Sequence, residues 1–221
     1  MTKVAATAQP ARRNAQAAAP RIARDREATQ ARLLAAVGAV LARDGFAALG
    51  VNAVAKEAGV DKVLIYRYFG GLPELLRQWG ASGQFWPRVS DLLGDTPKAF
   101  LSLPAAERYA RFFEHFIDAL RARPLTLEIL AAEMVVRNEL TVILESERQD
   151  WGKEASRVLG GKEFAAHPEL QGLTILLIAG AQYLLVRSLK VRVFGVIDIT
   201  TDAGWAELKA AIRAMATATF R

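Results

Sequence analysis

Apolar residues recur at helical spacing over most of this chain, and short breaks carrying glycine or proline divide them into segments. Leu33, Leu34, Val37, Val40 and Leu41 form one stripe along residues 28–44. Steps of three and four residues mark a helix with one buried face. Gly45 ends that segment, and Phe46 follows as a plug for the core beneath it. Val51, Val54, Ala55 and Ala58 repeat the pattern over a short second helix, 51–58. Gly59 can take the left-handed conformation that terminates a helix, and Asp61 can cap the next one. The third helix, 62–69, has Ile65 and Phe69 as anchors. Lys62, Val63, Tyr66 and Arg67 are left on its outer side, with Leu64 and Tyr68 nearer its edges. Two readings fit. One is a helix-turn-helix whose second helix enters the major groove of DNA. The other is a helical hairpin in an all-α core, its charged face merely solvated.

Beyond this stretch, Gly70-Gly71 makes a turn and Pro73 suits the first turn of a fourth helix, which begins Glu74-Leu75-Leu76. Gly80, Gly83 and Pro87 predict that it bends or ends early. Residues 93–103 read as a connector. The helix predicted over 105–121 is strongly amphipathic, with Tyr109, Phe112, Phe113, Phe116, Ile117 and Leu120 on one side. Pro124 restarts the chain into helices over 125–137 and 139–159, the second carrying Trp151 inward, and Gly160-Gly161 breaks the pattern. Residues 168–192 are apolar on nearly all sides between Leu173 and Val186, so both faces need cover. The last helix, 201–220, aligns Trp205, Leu208, Ile212, Met215 and Thr219 on one seam. The expected fold class is all-α. It has a disordered basic tail (1–23), an amino-terminal three-helix helix-turn-helix domain (24–76) and a larger carboxy-terminal helical domain (77–221).

Charge sharpens this division. Residues 1–80 carry 12 Lys and Arg against 6 Asp and Glu, whereas residues 81–221 carry 17 of each. All of the net charge of +6 therefore lies in residues 1–80, the segment that carries the helix-turn-helix, as expected for a phosphate-binding module joined to a neutral one. Part of the excess sits in the tail. Arg12, Arg13, Arg21 and Arg24 suit an arm along the DNA backbone or minor groove, and equally a solvated tail.

Composition excludes other classes. The chain lacks cysteine, which removes disulfides, thiolate nucleophiles and cysteine metal sites. The amino terminus lacks an apolar signal core. The longest apolar run, 172–186, has 15 residues and contains Gln182. That is short of the roughly 20 residues a membrane span needs, so a cytoplasmic protein without a membrane partner is expected. His115 and His167 have no metal-ligand partner at helical spacing, and Gly70-Gly71-Leu72 lacks the ending of a phosphate-cradling loop. No enzyme activity, metal or cofactor is expected. Glu133 and Arg137, four residues apart, suit an ordinary intrahelical ion pair. If buried, they suit the orientation of a polar ligand instead.

The run 32–76 resembles the amino-terminal DNA-binding domain of TetR-type transcriptional repressors. The likeness rests on Arg43-Asp44-Gly45-Phe46, Val51, Val54-Ala55, Ala58-Gly59-Val60 and Ile65-Tyr66-Arg67-Tyr68-Phe69. It covers about a fifth of the chain closely; the remainder is similar in length and helicity. Two positions depart from the family pattern. Gly50 stands where a capping Ser or Thr is usual, and Leu72 falls where a basic contact follows the turn. The resemblance implies a homodimer formed by the last two helices, about 168–192 and 201–220, reading a palindromic site in double-stranded DNA. The DNA contacts it implies are Asn52, Lys62, Val63, Leu64, Tyr66, Arg67 and Tyr68. Val63 and Leu64 offer no base hydrogen bond but suit packing on thymine methyl groups. It also implies a cavity for a small hydrophobic effector that relieves DNA binding. The lining residues expected there are Tyr109, Phe112, Phe113, Phe116, Met134 and Trp151, with Glu133, Arg137 and Tyr183 as polar partners. Aromatic stripes at helical spacing also serve as plain core. The alternative function is a helical small-molecule binding protein or enzyme that keeps the scaffold without operator binding.

Overall fold

The computed structural model describes the backbone of residues 13–135, 137–166 and 169–220, and the side chains of 25–135, 137–160 and 170–220. The helices run α1 (Arg13–Asp44), α2 (Val51–Ala58), α3 (Val63–Phe69), α4 (Leu72–Ala81), α5 (Pro97–Leu101) and α6 (Ala105–Arg121). They continue with α7 (Pro124–Glu133), α8 (Glu139–Ala166), α9 (Glu169–Ser188) and α10 (Asp202–Thr219). Short 3-10 turns occupy Phe46–Ala48 and Val89–Leu93. The fold is all-α, as the periodicity predicts.

The start of the chain differs from expectation. Residues 1–12 lie outside the described residues, but the backbone is helical from Arg13. The proposed boundary at 23 therefore falls inside α1. The stretch has no apolar stripe, yet it is Ala-rich, and alanine is the strongest helix former. The side chains of Arg13, Arg21 and Arg24, like all of Arg12, lie outside the described residues.

Leu33, Val37, Val40 and Leu41 of α1 are buried against Val54, Ala55 and Ala58 of α2 and Ile65 and Phe69 of α3. Gly59 ends α2 at φ 63°, where a Cβ would be strained. The Val63 N–H donates to the Asp61 carboxylate at 2.8 Å, so Asp61 caps α3 as predicted. Arg43 of α1 ties the unit across to Glu57 of α2 at 2.8 Å.

α4 ends at Ala81, the early stop that Gly80 and Gly83 foretell. It packs on both α1 and α8. Gly80 lies so close to α8 that a Cβ there would stand 3.0 Å from Leu144 Cδ2. Trp79 is fully buried beside Gly38 of α1, and its ring meets Phe85 at 5.5 Å. An aromatic cluster continues through Trp86, Phe116, Trp151, Phe112 and Phe113 to Tyr109, which meets Phe220 at 5.4 Å.

α6 is held to α10 by charge as well as packing. Arg213 bridges Glu114 at 2.7 Å and Glu107 at 2.5 Å. The break expected at Gly160-Gly161 is present: Gly160 leaves helical geometry (φ −160°, ψ 24°) and kinks the span α8 there. Between α9 and α10 lies a two-stranded antiparallel hairpin, β1 (Val193–Phe194) and β2 (Ile197–Asp198), which helical periodicity did not reveal. Gly204 lets α10 lie against it, since a Cβ there would overlap the Asp198 carbonyl.

The apolar run of 15 residues understates α9. Leu170–Ser188 is long and apolar enough, by length and composition, to cross a membrane. Only 22% of that window is buried within the chain, so most of the cover that its sequence calls for is not supplied by the described residues.

Candidate functional site

α3 has seven residues and is fixed by two of them. Ile65 and Phe69 are buried, and this orients the rest of the helix. Lys62, Val63, Tyr66 and Arg67 are exposed, and Leu64 is half-buried at the edge. Lys62 and Arg67 form no ion pair with any described residue. By contrast, Arg43 is already neutralised by Asp44 and Glu57. Tyr68 differs from the other α3 candidates. It is half-buried, and the Arg26 guanidinium of α1 lies 5.3 Å from its ring centre. One aromatic face is thus used to brace α3 on α1.

On α2, Asn52 is exposed, and so is Lys56 one turn later. The sequence reading passed over Lys56, although its i+4 relation to Asn52 puts both on one side of the helix. The α2 amino terminus has Gly50 in extended conformation and no side-chain cap. The expected departure is thus structural as well as sequential. Leu72 is half-buried at the start of α4.

The expected effector residues do not gather in one place. Tyr109, Phe112, Phe113 and Phe116 are all buried in the α6 face. With Trp151 they pack on one another and on Trp86. Phe112, Phe113, Phe116 and Trp151 border a void of about 20 Å³, room for about one water molecule. The Tyr109 hydroxyl is satisfied by Thr174 of α9 at 2.9 Å, and burial holds its pKa above the ordinary value. The Trp151 Nε1–H donates to the Pro87 carbonyl at 2.7 Å.

Glu133, Met134 and Arg137 line a separate and larger cavity, about 270 Å³, between α7, α8 and α9. Here the expected ion pair is rearranged. α7 ends at Glu133, so Arg137 is not on the same helix. Arg137 reaches Glu145 at 2.6 Å, and Glu133 forms a two-pronged pair with Arg148 of α8, at 2.6 and 3.1 Å. Arg148 was missed because its partner lies fifteen residues away on another helix, beyond any helical spacing. Burial pushes the Glu133 carboxyl above its usual range, against the opposing pull of Arg148. Tyr183 belongs to neither cavity. It is 44% exposed and its ring meets Phe194 of the hairpin edge-on at 5.8 Å.

His115 donates from Nδ1 to the Leu92 carbonyl at 2.7 Å, fastening the 3-10 turn to α6. His167 lies outside the described residues.

Comparison with known proteins agrees with this anatomy. Residues 33–78 match the family of bacterial regulatory proteins, tetR family. The chain is 28% identical over 197 residues to the HTH-type transcriptional repressor SCO4008 of Streptomyces coelicolor, covering 86% of this chain and 96% of that protein. Its fold is similar to that of the fatty acid degradation regulator FadR from Bacillus halodurans, with a TM-score of 0.57 at 16% identity, over 85% of this chain and 94% of the other. It is also similar to FadR from Bacillus subtilis in complex with stearoyl-CoA, with a TM-score of 0.59 at 13% identity, over 84% and 96% of the two chains. At such identities these two show a shared fold. Residues 33–78 are thus a tetR-family DNA-binding segment, and the chain as a whole is similar to TetR-type transcriptional regulators.

Proposed function

We propose that the protein is a dimeric, cytoplasmic repressor that grips a palindromic operator and releases it when a small, largely hydrophobic effector binds. The observation that carries the reading is the sidedness of α3. Two buried anchors hold it down, and Lys62, Tyr66 and Arg67 stand outward. Phosphate contacts would fix the register, and Tyr66 and Arg67 would reach base edges, with Asn52 of α2 as a further donor.

The dimer is supported by uncovered apolar surface. Ile175 and Leu176 of α9 are 66% and 72% exposed, and Met215 of α10 is exposed as well. Each such side chain contributes about 1.5–3 kcal/mol when fully covered. A second copy packed on α9 and α10 would cover them and present two α3 helices to two half-sites.

An effector is supported by the way α4 is held. α4 follows α3 directly and abuts α8 at Gly80. A ligand that moves α8 would therefore move α4. Only a difference in affinity between the two arrangements can shift the balance.

The test is DNA selection with the purified chain at two salt concentrations. Enrichment of one palindrome, with affinity falling steeply as salt rises, is the expected result. Weak binding without sequence preference would instead favour a ligand-binding scaffold that has lost its operator, for which the uncapped Gly50 is the structural argument.

A further inference from the structure

The cavity between α7, α8 and α9 is floored by a charge pair with unequal partners. Arg148 is 18% exposed and Glu133 11%. The Arg148 guanidinium is also fixed by two rings, lying 5.8 Å from the centres of both Phe85 and Trp86. Such stacking suits the flat, weakly hydrated guanidinium and keeps it in place whatever its ion-pair partner does. Glu133 has no comparable brace. It is the last residue of α7, and a turn follows it at once. Its carboxylate is raised above its ordinary pKa by burial, so the charged form is already disfavoured where it sits. The other ionic pair at the rim, Arg137 with Glu145, is self-contained. The walls otherwise offer Leu130, Met134, the Thr141 side chain and the Gln182 amide.

We infer that this cavity is an effector site for an organic carboxylate with an apolar body, whose carboxylate takes the place of Glu133 on Arg148. The step is an exchange of ion-pair partners. The two guanidinium N–H groups that now donate to Glu133 donate to the ligand, and Glu133 turns out to solvent at the end of α7. The geometry favours an anion over a cation, because a cation would have to displace Arg148 from two aromatic rings. Leu130 and Met134 supply the apolar wall along which the body would lie. A volume of about 270 Å³ lies at the lower end of the range for small-molecule sites. The inference rests on the effector-responsive reading, and it places the effector's charged end at Arg148 rather than in the aromatic face of α6.

The experiment uses the full chain and three ten-carbon probes: decanoate, decanol and decyltrimethylammonium. Binding is measured by titration calorimetry and by tryptophan fluorescence, since Trp86 and Trp151 lie in the adjoining cluster. Decanoate should bind more tightly than decanol by about tenfold or more, the worth of a charge-assisted hydrogen bond, and the cation should bind weakest. E133Q should tighten decanoate several-fold and leave decanol unchanged, because it weakens the internal competitor. The double variant E133Q/R148M keeps the cavity free of an unpaired buried charge, and in it the preference for carboxylate over alcohol should vanish. A preference that survives in the double variant, an unaltered ratio in E133Q, or no binding by any probe would overturn the inference. Operator binding in the absence of probe is read separately. Its loss would count against the repressor, whereas its retention beside indifferent probes would count against this site alone.

Discussion

The reading unit and the helical unit behind it use aromatic side chains in opposite ways. On α3, Tyr66 is 55% exposed and makes no ring contact or side-chain hydrogen bond with the described residues. On α6, Phe112, Phe113 and Phe116 are at most 2% exposed and explain one another through ring contacts. Tyr66 is an exposed aromatic beside Lys62 and Arg67, which form no ion pair with any described residue, and this is why the proposed DNA contact is placed there. A buried aromatic accounts for itself through packing. The lesson is that exposure without an internal partner, rather than residue type, separates the functional aromatics from the structural ones.

The strongest test of that contrast lies in the core. Phe116→Ala should lower stability by about 3–5 kcal/mol, the usual cost of emptying a buried phenylalanine site. Urea denaturation at fixed protein concentration measures it. A loss below about 1 kcal/mol would mean that the α6 face yields easily, as a true effector cavity does. The complementary change is Tyr66→Ala with Arg67→Ala. Removing two base-reaching side chains should weaken operator binding by about 2–6 kcal/mol while shifting stability by less than about 0.5 kcal/mol. Unchanged DNA affinity in that double variant would sink the assignment of α3 as the reading helix.

The same contrast explains what could be read in advance. The reading unit is built from contacts between neighbours in sequence. Its anchors Ile65 and Phe69, its stop at Gly59 and its cap at Asp61 are all encoded within twenty residues, and each takes the expected place. The second unit is built from contacts at long range. The partner of Glu133 is fifteen residues away, that of Tyr109 is sixty-five, and Arg213 reaches back about a hundred to α6. Periodicity found the helices but could not pair their faces, so the one pocket that the family resemblance implies was drawn from residues of two separate cavities. Tyr183 was placed in that pocket as well, because nothing in a helical pattern announces the hairpin residue Phe194 that it meets. The Ala-rich start of α1 escaped for a different reason. Its sequence carries no apolar stripe, and periodicity detects only such stripes.

Where the two units touch, the comparison can be sharpened. Gly80→Ala would set a methyl 3.0 Å from Leu144 Cδ2 and push α4 off α8. A cost of about 1–3 kcal/mol in stability is expected from such overpacking. If α4 transmits effector state to α3, operator affinity should fall as well, although no DNA-facing residue has changed. Fluorescence anisotropy on the selected operator reads this directly. Full affinity in a destabilised Gly80→Ala protein would show that α4 position and α3 position are independent.

A smaller effect concerns Glu133. Burial holds its folded pKa above the ordinary value of 4.5. The folded state therefore keeps this proton more tightly than the unfolded chain does. As pH rises through 4.5 the unfolded chain ionises first, and stability from this group falls until the folded carboxyl ionises too. Asp91, Glu107 and Asp198 are shifted the other way by their arginine and hydroxyl partners, so the total curve mixes both signs. The stability difference between wild type and Glu133→Gln isolates the one group. It should move against wild type as pH rises over that window. A difference that grows in favour of wild type would mean that Arg148 outweighs burial.

The smallest change tests whether the departure at Gly50 is a loss or a neutral variation. Gly50 precedes α2 in extended geometry, which any residue can adopt, and a Cβ there would meet nothing within 4 Å. Gly50→Ser should therefore enter without strain and offer its hydroxyl to a free N–H in the first turn. Because glycine is itself a fair cap, the gain in stability should be only a few tenths of a kcal/mol. Operator affinity is the informative reading. A serine hydroxyl at this helix start can also donate to a phosphate, so tighter binding with a small rise in stability would show that wild type lacks a contact it has room to make. A gain in stability with unchanged affinity would place the phosphate elsewhere. Exposed Lys56, on the same helix and one turn beyond Asn52, would then be the first residue to remove.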